Sequence, residues 1–60
     1  MRPYMVVYSK GYDSETNSVF FTDVEIARSF AEEVKDVWHD RVQLYAWNKE
    51  QRCYLFLMEV

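Results

Sequence analysis

Hydrophobic and polar positions change rhythm several times along this chain, and each rhythm predicts an element. From Pro3 to Tyr8 the residues are β-branched, aromatic or otherwise apolar, which predicts a strand ending near Lys10, with Pro3 at its start where a missing N–H is tolerated. Gly11 to Ser18 is polar and rich in turn residues, and Val19 to Phe21 then predicts a short second strand, joined to the first as an antiparallel hairpin with a loose loop. From Val24 the period lengthens to that of a helix. Val24, Ile26, Ala27, Phe30, Ala31, Val34, Val37 and Trp38 fall on one arc, while Glu25, Arg28, Ser29, Glu32, Glu33, Lys35, Asp36 and His39 fill the other. This predicts a helix from about Asp23 to about Trp38. Thr22 and Glu25 have capping-box spacing, with Phe21 and Ile26 at the staple positions.

Strand rhythm returns from Arg41 to Trp47, where Val42, Leu44 and Ala46 alternate with Gln43, Tyr45 and Trp47. Asn48 to Gln51 supplies a turn, and from Arg52 to Glu59 the set Tyr54, Phe56, Met58 alternates with Cys53, Leu55, Leu57. The expected architecture is one α+β domain over residues 1–60, a four-stranded antiparallel sheet in the order β-β-α-β-β with one helix on one face.

A sheet covered on one face only should alternate apolar inward with polar outward. Here both sets are apolar. Matching aliphatic residues to the helix stripe assigns Met5, Val7, Val19, Phe21, Val42, Leu44, Ala46, Cys53, Leu55 and Leu57 to the helix side. That leaves Tyr4, Val6, Tyr8, Phe20, Tyr45, Trp47, Tyr54, Phe56 and Met58 outward, and seven of these nine are aromatic. An open face of this kind is an interaction surface by composition, because large exposed apolar patches mark binding sites and Tyr, Trp, Phe and Met are enriched in interface cores. The candidate partner or dimer interface is therefore Tyr4, Tyr8, Phe20, Tyr45, Trp47, Tyr54, Phe56 and Met58. The plainer reading is that these rings have high sheet propensity and stack on one another across strands. A second candidate surface is the acidic exterior of the helix, Glu25, Glu32, Glu33, Asp36 and Asp40. It is either a solvated face with weak pairs such as Arg28 with Glu32, or a stripe presented to a basic groove.

Composition sharpens that picture. A chain of 60 residues buries only roughly 60% of its unfolded surface, so a monomer is close to break-even against its ordering entropy. Yet 50% of the residues are hydrophobic and 18% aromatic. That surplus favours a homodimer or another protein partner over extra core. The net charge of −3 disfavours a phosphate-backbone partner, so single-stranded nucleic acid stacked on the aromatic face, with Lys10, Arg41 and Arg52 as its rim, is the alternative function. The apolar runs Tyr4–Tyr8 and Tyr54–Met58 are five residues each, against about 20 needed to span a bilayer, so no membrane association is expected. One cysteine and no basic-then-apolar leader point to the cytoplasm.

No catalytic set is visible. His39 and Cys53 fall on different elements and opposite layers, Cys53 is expected as a small buried apolar residue, and His39 as a helix-end residue favouring the negative pole of the dipole. Asp13 to Asn17 alternates oxygen side chains but lacks the glycine and distal glutamate of a calcium loop, and no zinc spacing or phosphate-binding glycine loop occurs. No enzyme activity, metal or cofactor is expected.

Tyr4–Tyr8, the helix start from Phe21 to Ala27 and the closing hairpin together give a chain that resembles the small acidic accessory proteins encoded by bacteriophages. The resemblance implies a single α+β module that binds and inhibits a host enzyme in the host cytoplasm, as inhibitors of uracil-DNA glycosylase, restriction systems and toxins do. The expected function is thus a non-catalytic binding module, an inhibitor or modulator of a host protein.

Overall fold

The computed structural model describes residues 2–9, 16–35 and 41–60. Its elements are β1 (Tyr4–Ser9), β2 (Thr16–Phe21), α1 (Val24–Val34), β3 (Arg41–Asn48) and β4 (Cys53–Glu59). The strands form one antiparallel sheet in the spatial order β2-β1-β3-β4. The α+β architecture expected from the alternation is the one observed. β1 is central: it pairs with β2 in a hairpin and with β3 through the crossover, so α1 carries the chain from the β2 edge over β1 to β3.

Local sequence explains each boundary. β2 begins at Thr16, earlier than the apolar residues alone suggested, because Thr16, Asn17 and Ser18 continue the ladder opposite Ser9, Tyr8 and Val7. The helix is capped by Asp23, not Thr22: its carboxylate Oδ1 accepts from the backbone N–H of Glu25 at 2.8 Å and of Ile26 at 3.3 Å. An aspartate at the cap satisfies two of the orphan donors and adds a negative charge at the positive pole of the dipole. This displaces the staple as well, and Ile26 is 59% exposed instead of lying on the inner arc. Helical structure ends at Val34, with Lys35 at φ −82°, ψ 82°, short of the predicted end near Trp38. The last turn carries Glu32 and Glu33 and no base, which opposes the dipole, and Lys35 at the cap closes the helix with its N–H on the Ala31 carbonyl at 3.1 Å. Residues 36–40, and with them Val37, Trp38, His39, Asp36 and Asp40, lie outside the described residues, as does most of the Asp13 to Asn17 loop.

The core is small. Val6, Val42 and Leu44 from the sheet and Ala27 and Ala31 from the helix are fully buried. The two alanines let the helix axis approach Val6, while the larger Tyr4, Tyr8, Phe21, Val24, Phe30, Val34 and Val60 pack around that contact. Phe30 is held between rings, 5.8 Å from Tyr8 edge-on and 5.2 Å from Phe21.

These contacts correct the phase assigned to β1. Tyr4, Val6 and Tyr8 face the helix, and Met5 and Val7 face away, the reverse of the expectation. The cause is register: Tyr4, Val6 and Tyr8 lie opposite Ala46, Leu44 and Val42, the inward set of β3. Opposite residues of an antiparallel pair share a face, so β1 has no choice once β3 is fixed.

Candidate functional site

The sheet face turned away from the helix carries Phe20, Tyr45, Trp47, Tyr54 and Phe56, as the alternation of β2, β3 and β4 predicted, with Met5 in place of Tyr4 and Tyr8. Met5 lies opposite both Phe20 and Tyr45, and Tyr45 lies opposite Phe56, so one row of apolar side chains crosses all four strands. Tyr45 stacks edge-on to Phe56 with centroids 5.9 Å apart, and its hydroxyl donates to Gln43 Oε1 at 3.1 Å. Beside this row Trp47 meets Tyr54 edge-on at 5.0 Å, and Tyr54 reaches Phe20 at 5.6 Å. The Tyr54 hydroxyl donates to the Arg2 carbonyl at 2.7 Å, so this ring starts on one edge strand and arches over β3 to the beginning of β1.

The rings are thus partly covered by one another, as edge-to-face pairs that contribute about 0.5–1.5 kcal/mol each beyond their buried area. They are not fully covered. Phe20 remains 39% and Phe56 55% exposed, and no other element packs on this face among the described residues.

β4 departs furthest from expectation. The helix packs chiefly on β1, β3 and β2; just past the end of β4 the Lys35 ammonium donates to the Val60 carbonyl and Val60 packs against the core. Leu55, opposite Ala46 on the helix side as predicted, is still 37% exposed. Between the pairs Tyr45 with Phe56 and Leu44 with Met58 the register slips by one residue, leaving Leu57 as the extra residue of a bulge. This moves Met58 to the helix side, opposite the core residue Leu44, and not to the outward face where the alternation had set it. Leu57 and Met58 are 50% and 38% exposed. Cys53, expected as a buried apolar residue, is an exposed free thiol. No sequence signal distinguished this strand from a covered one, because its apolar content equals that of β1; a bulge carries no motif of its own.

The acidic residues of the helix exterior, Glu25, Glu32 and Glu33, are exposed, with Arg28 and Ser29 on the same side. Arg2, Arg41 and Arg52 are exposed as well. A shallow groove of about 290 Å³, lined by Arg2, Phe20, Phe21, Thr22, Asp23 and Ile26, opens beside the helix start, smaller than the roughly 300–1,000 Å³ usual for small-molecule pockets. Among the described residues there is no group of three or more His, Cys, Asp or Glu side chains placed to hold a metal ion. No helix among them is long and apolar enough to cross a membrane. No protein-family model, curated protein or solved structure matches the chain.

Proposed function

We propose that this protein is a non-catalytic protein-binding module that engages a partner through the aromatic sheet face. The observation that carries the reading is the row from Phe20 through Met5 and Tyr45 to Phe56, which spans the sheet with its two end rings 39% and 55% exposed. Rigid rings already fixed by their neighbours lose little side-chain entropy on binding, and this is why such residues anchor interface hot spots. The resemblance to phage-encoded accessory proteins suggests a host protein as the partner, with inhibition or modulation as the outcome. The exposed carboxylates Glu25, Glu32 and Glu33 would then steer association with a basic surface more than they would hold it.

The test is affinity capture from a lysate of the cell in which the protein acts, comparing the wild type with Phe20→Ser, Tyr45→Ser and Arg28→Ala. A protein retained by the wild type and by Arg28→Ala, and lost with both ring substitutions, supports the aromatic face as the binding surface. Equal retention by all four removes it. Single-stranded nucleic acid is tested in parallel by titrating an oligonucleotide at low salt while following tryptophan emission. Salt-sensitive quenching that Tyr45→Ser abolishes would replace the protein partner with nucleic acid.

A further inference from the structure

We infer that β4 pairs with the β4 of a second copy of this chain, joining the two sheets into one continuous antiparallel sheet of eight strands. The inference goes beyond the aromatic face, since it concerns the sheet edge and a different occupant.

Each edge strand of a sheet offers a row of unpaired N–H and C=O groups, and proteins usually blunt it with an inward or central charge, a proline, a bulge, a short strand or a covering helix. The two edges here differ. β2 begins with Thr16, Asn17 and Ser18, polar residues that keep half of that edge hydrated. β4 runs from Cys53 to Met58 without a charge or a proline, is packed less closely by the helix than the other strands, and exposes side chains on both faces. Of those devices it carries one, the bulge at Leu57, which lies toward its end and leaves Cys53 to Phe56 as a regular edge.

Charge indicates what fits there. The strand is bounded by Arg52 at its start and Glu59 at its end, with no charged residue between. Antiparallel pairing of β4 with itself about Leu55, with the bulged Leu57 left out of the ladder, sets Tyr54 against Phe56, Cys53 against Met58 and Arg52 of each copy beside Glu59 of the other, two opposite-charge contacts related by the two-fold axis. Parallel pairing would instead set like charges side by side. Arg52 also has φ 54°, a left-handed conformation that favours glycine or asparagine. β4 against β2 is the competing arrangement, but it is heterologous, matches an apolar strand with a half-polar one, and would grow into an open ribbon, whereas β4 against β4 closes as a dimer. Because the two-fold axis is perpendicular to the sheet, both aromatic faces would lie on the same side and form one surface.

Sedimentation velocity over a range of protein concentrations, with far-UV circular dichroism as the folding check, tests this. The wild type is expected to sediment as a dimer, and Leu57→Lys, which places an edge charge, as a folded monomer. Arg52→Glu and Glu59→Arg are each expected to weaken the dimer about tenfold, as two reversed surface pairs would, and the double substitution to restore it. These last three lie at exposed positions and keep the inference testable if Leu57→Lys fails to fold. Phe20→Ser, away from the β4 edge, should leave the dimer intact while it removes capture of a partner, so failure of either reading is seen separately. A wild type that stays monomeric at every concentration, a dimer lost with Phe20→Ser but kept with Leu57→Lys, growth beyond the dimer, or a charge swap that does not restore association would each overturn the inference.

Discussion

β1 and β4 are close to the same strand chemically and end in opposite environments. β1 reads Tyr-Met-Val-Val-Tyr-Ser and β4 Cys-Tyr-Leu-Phe-Leu-Met-Glu. The first pairs on both sides, lies under the helix and places Val6 at 0% exposure; the second pairs only with β3 and leaves Leu55, Phe56, Leu57 and Met58 between 37% and 55% exposed. Apolar content therefore does not decide burial here. Position in the topology does: among the described residues an 11-residue helix packs chiefly on three strands, and the fourth is left with the same kind of side chains about half exposed. The surplus of hydrophobic residues in so short a chain is largely this uncovered strand and the rings on the far face.

The largest effect expected from this contrast is at Leu44, which lies opposite Val6 on one side and Met58 on the other and so joins the two environments. Leu44 is fully buried, and Leu44→Ala should destabilise the fold by about 2–5 kcal/mol through lost transfer energy and the cavity left behind. Chemical denaturation followed by circular dichroism measures it. A cost below about 1 kcal/mol would mean that the core between Val6 and the two helix alanines collapses freely, and that β3 is no better packed than β4.

How far the fold could be read beforehand divides along the same line. Element order and the faces of β2 and β3 were legible because polar residues interrupt them: Gln43 between Val42 and Leu44 fixes the phase of β3, and the Ser-Val-Phe-Phe stretch that of β2. β1 is apolar at every position from Tyr4 to Tyr8, so its alternation holds no phase, and matching aliphatic residues to the helix chose wrongly. Only pairing with Ala46, Leu44 and Val42 settles it, and that pairing is non-local. The two helix alanines were the overlooked signal. A helix that meets a sheet through Ala27 and Ala31 leaves room beside them for rings, so Tyr4, Tyr8 and Phe21 could have been placed around Phe30 from side-chain size alone. The arch of Tyr54 over β3 to the Arg2 carbonyl joins residues 52 apart and had no local trace.

The helix start was legible in kind but misplaced by one residue, since Thr22 and Asp23 are both good caps. Asp23→Ala should cost about 1 kcal/mol, because the Glu25 and Ile26 N–H groups lose their acceptor, and Thr22→Ala close to nothing. In a domain this small 1 kcal/mol moves the melting temperature by about 4–8 °C, well within reach of a thermal scan. The reverse ranking would restore Thr22 as the cap.

The turn that leads into β4 offers an effect of opposite sign. Arg52 sits at φ 54° after an Asn48 side chain that accepts from the Gln51 N–H at 2.9 Å, so the turn is already held by local bonds. Arg52→Gly relieves the left-handed strain at some cost in unfolded-chain entropy, and should stabilise the monomer by about 0.5–1 kcal/mol. If β4 pairs with a second copy, the same substitution weakens the dimer, so the gain seen in dilute solution should shrink as concentration rises. A gain that is the same at all concentrations would separate the strain at Arg52 from any role in association.

The smallest effect, and the one that presses hardest on the contrast between the two strands, is at Leu57. Half exposed and left over at the bulge, it should behave in the monomer as a surface residue, and Leu57→Ala should change stability by less than about 0.5 kcal/mol, against the several expected at Leu44. That near-silence holds only while β4 is bare. When a second copy covers the edge, Leu57 becomes buried in the assembly, and the penalty of the substitution should grow with protein concentration as mass action draws the wild type into the dimer. Denaturation of wild type and Leu57→Ala across a concentration series therefore reads the environment of β4 directly. A flat, small difference leaves the strand exposed in solution, and a difference that widens marks the point at which β4 acquires the second neighbour that β1 has within its own chain.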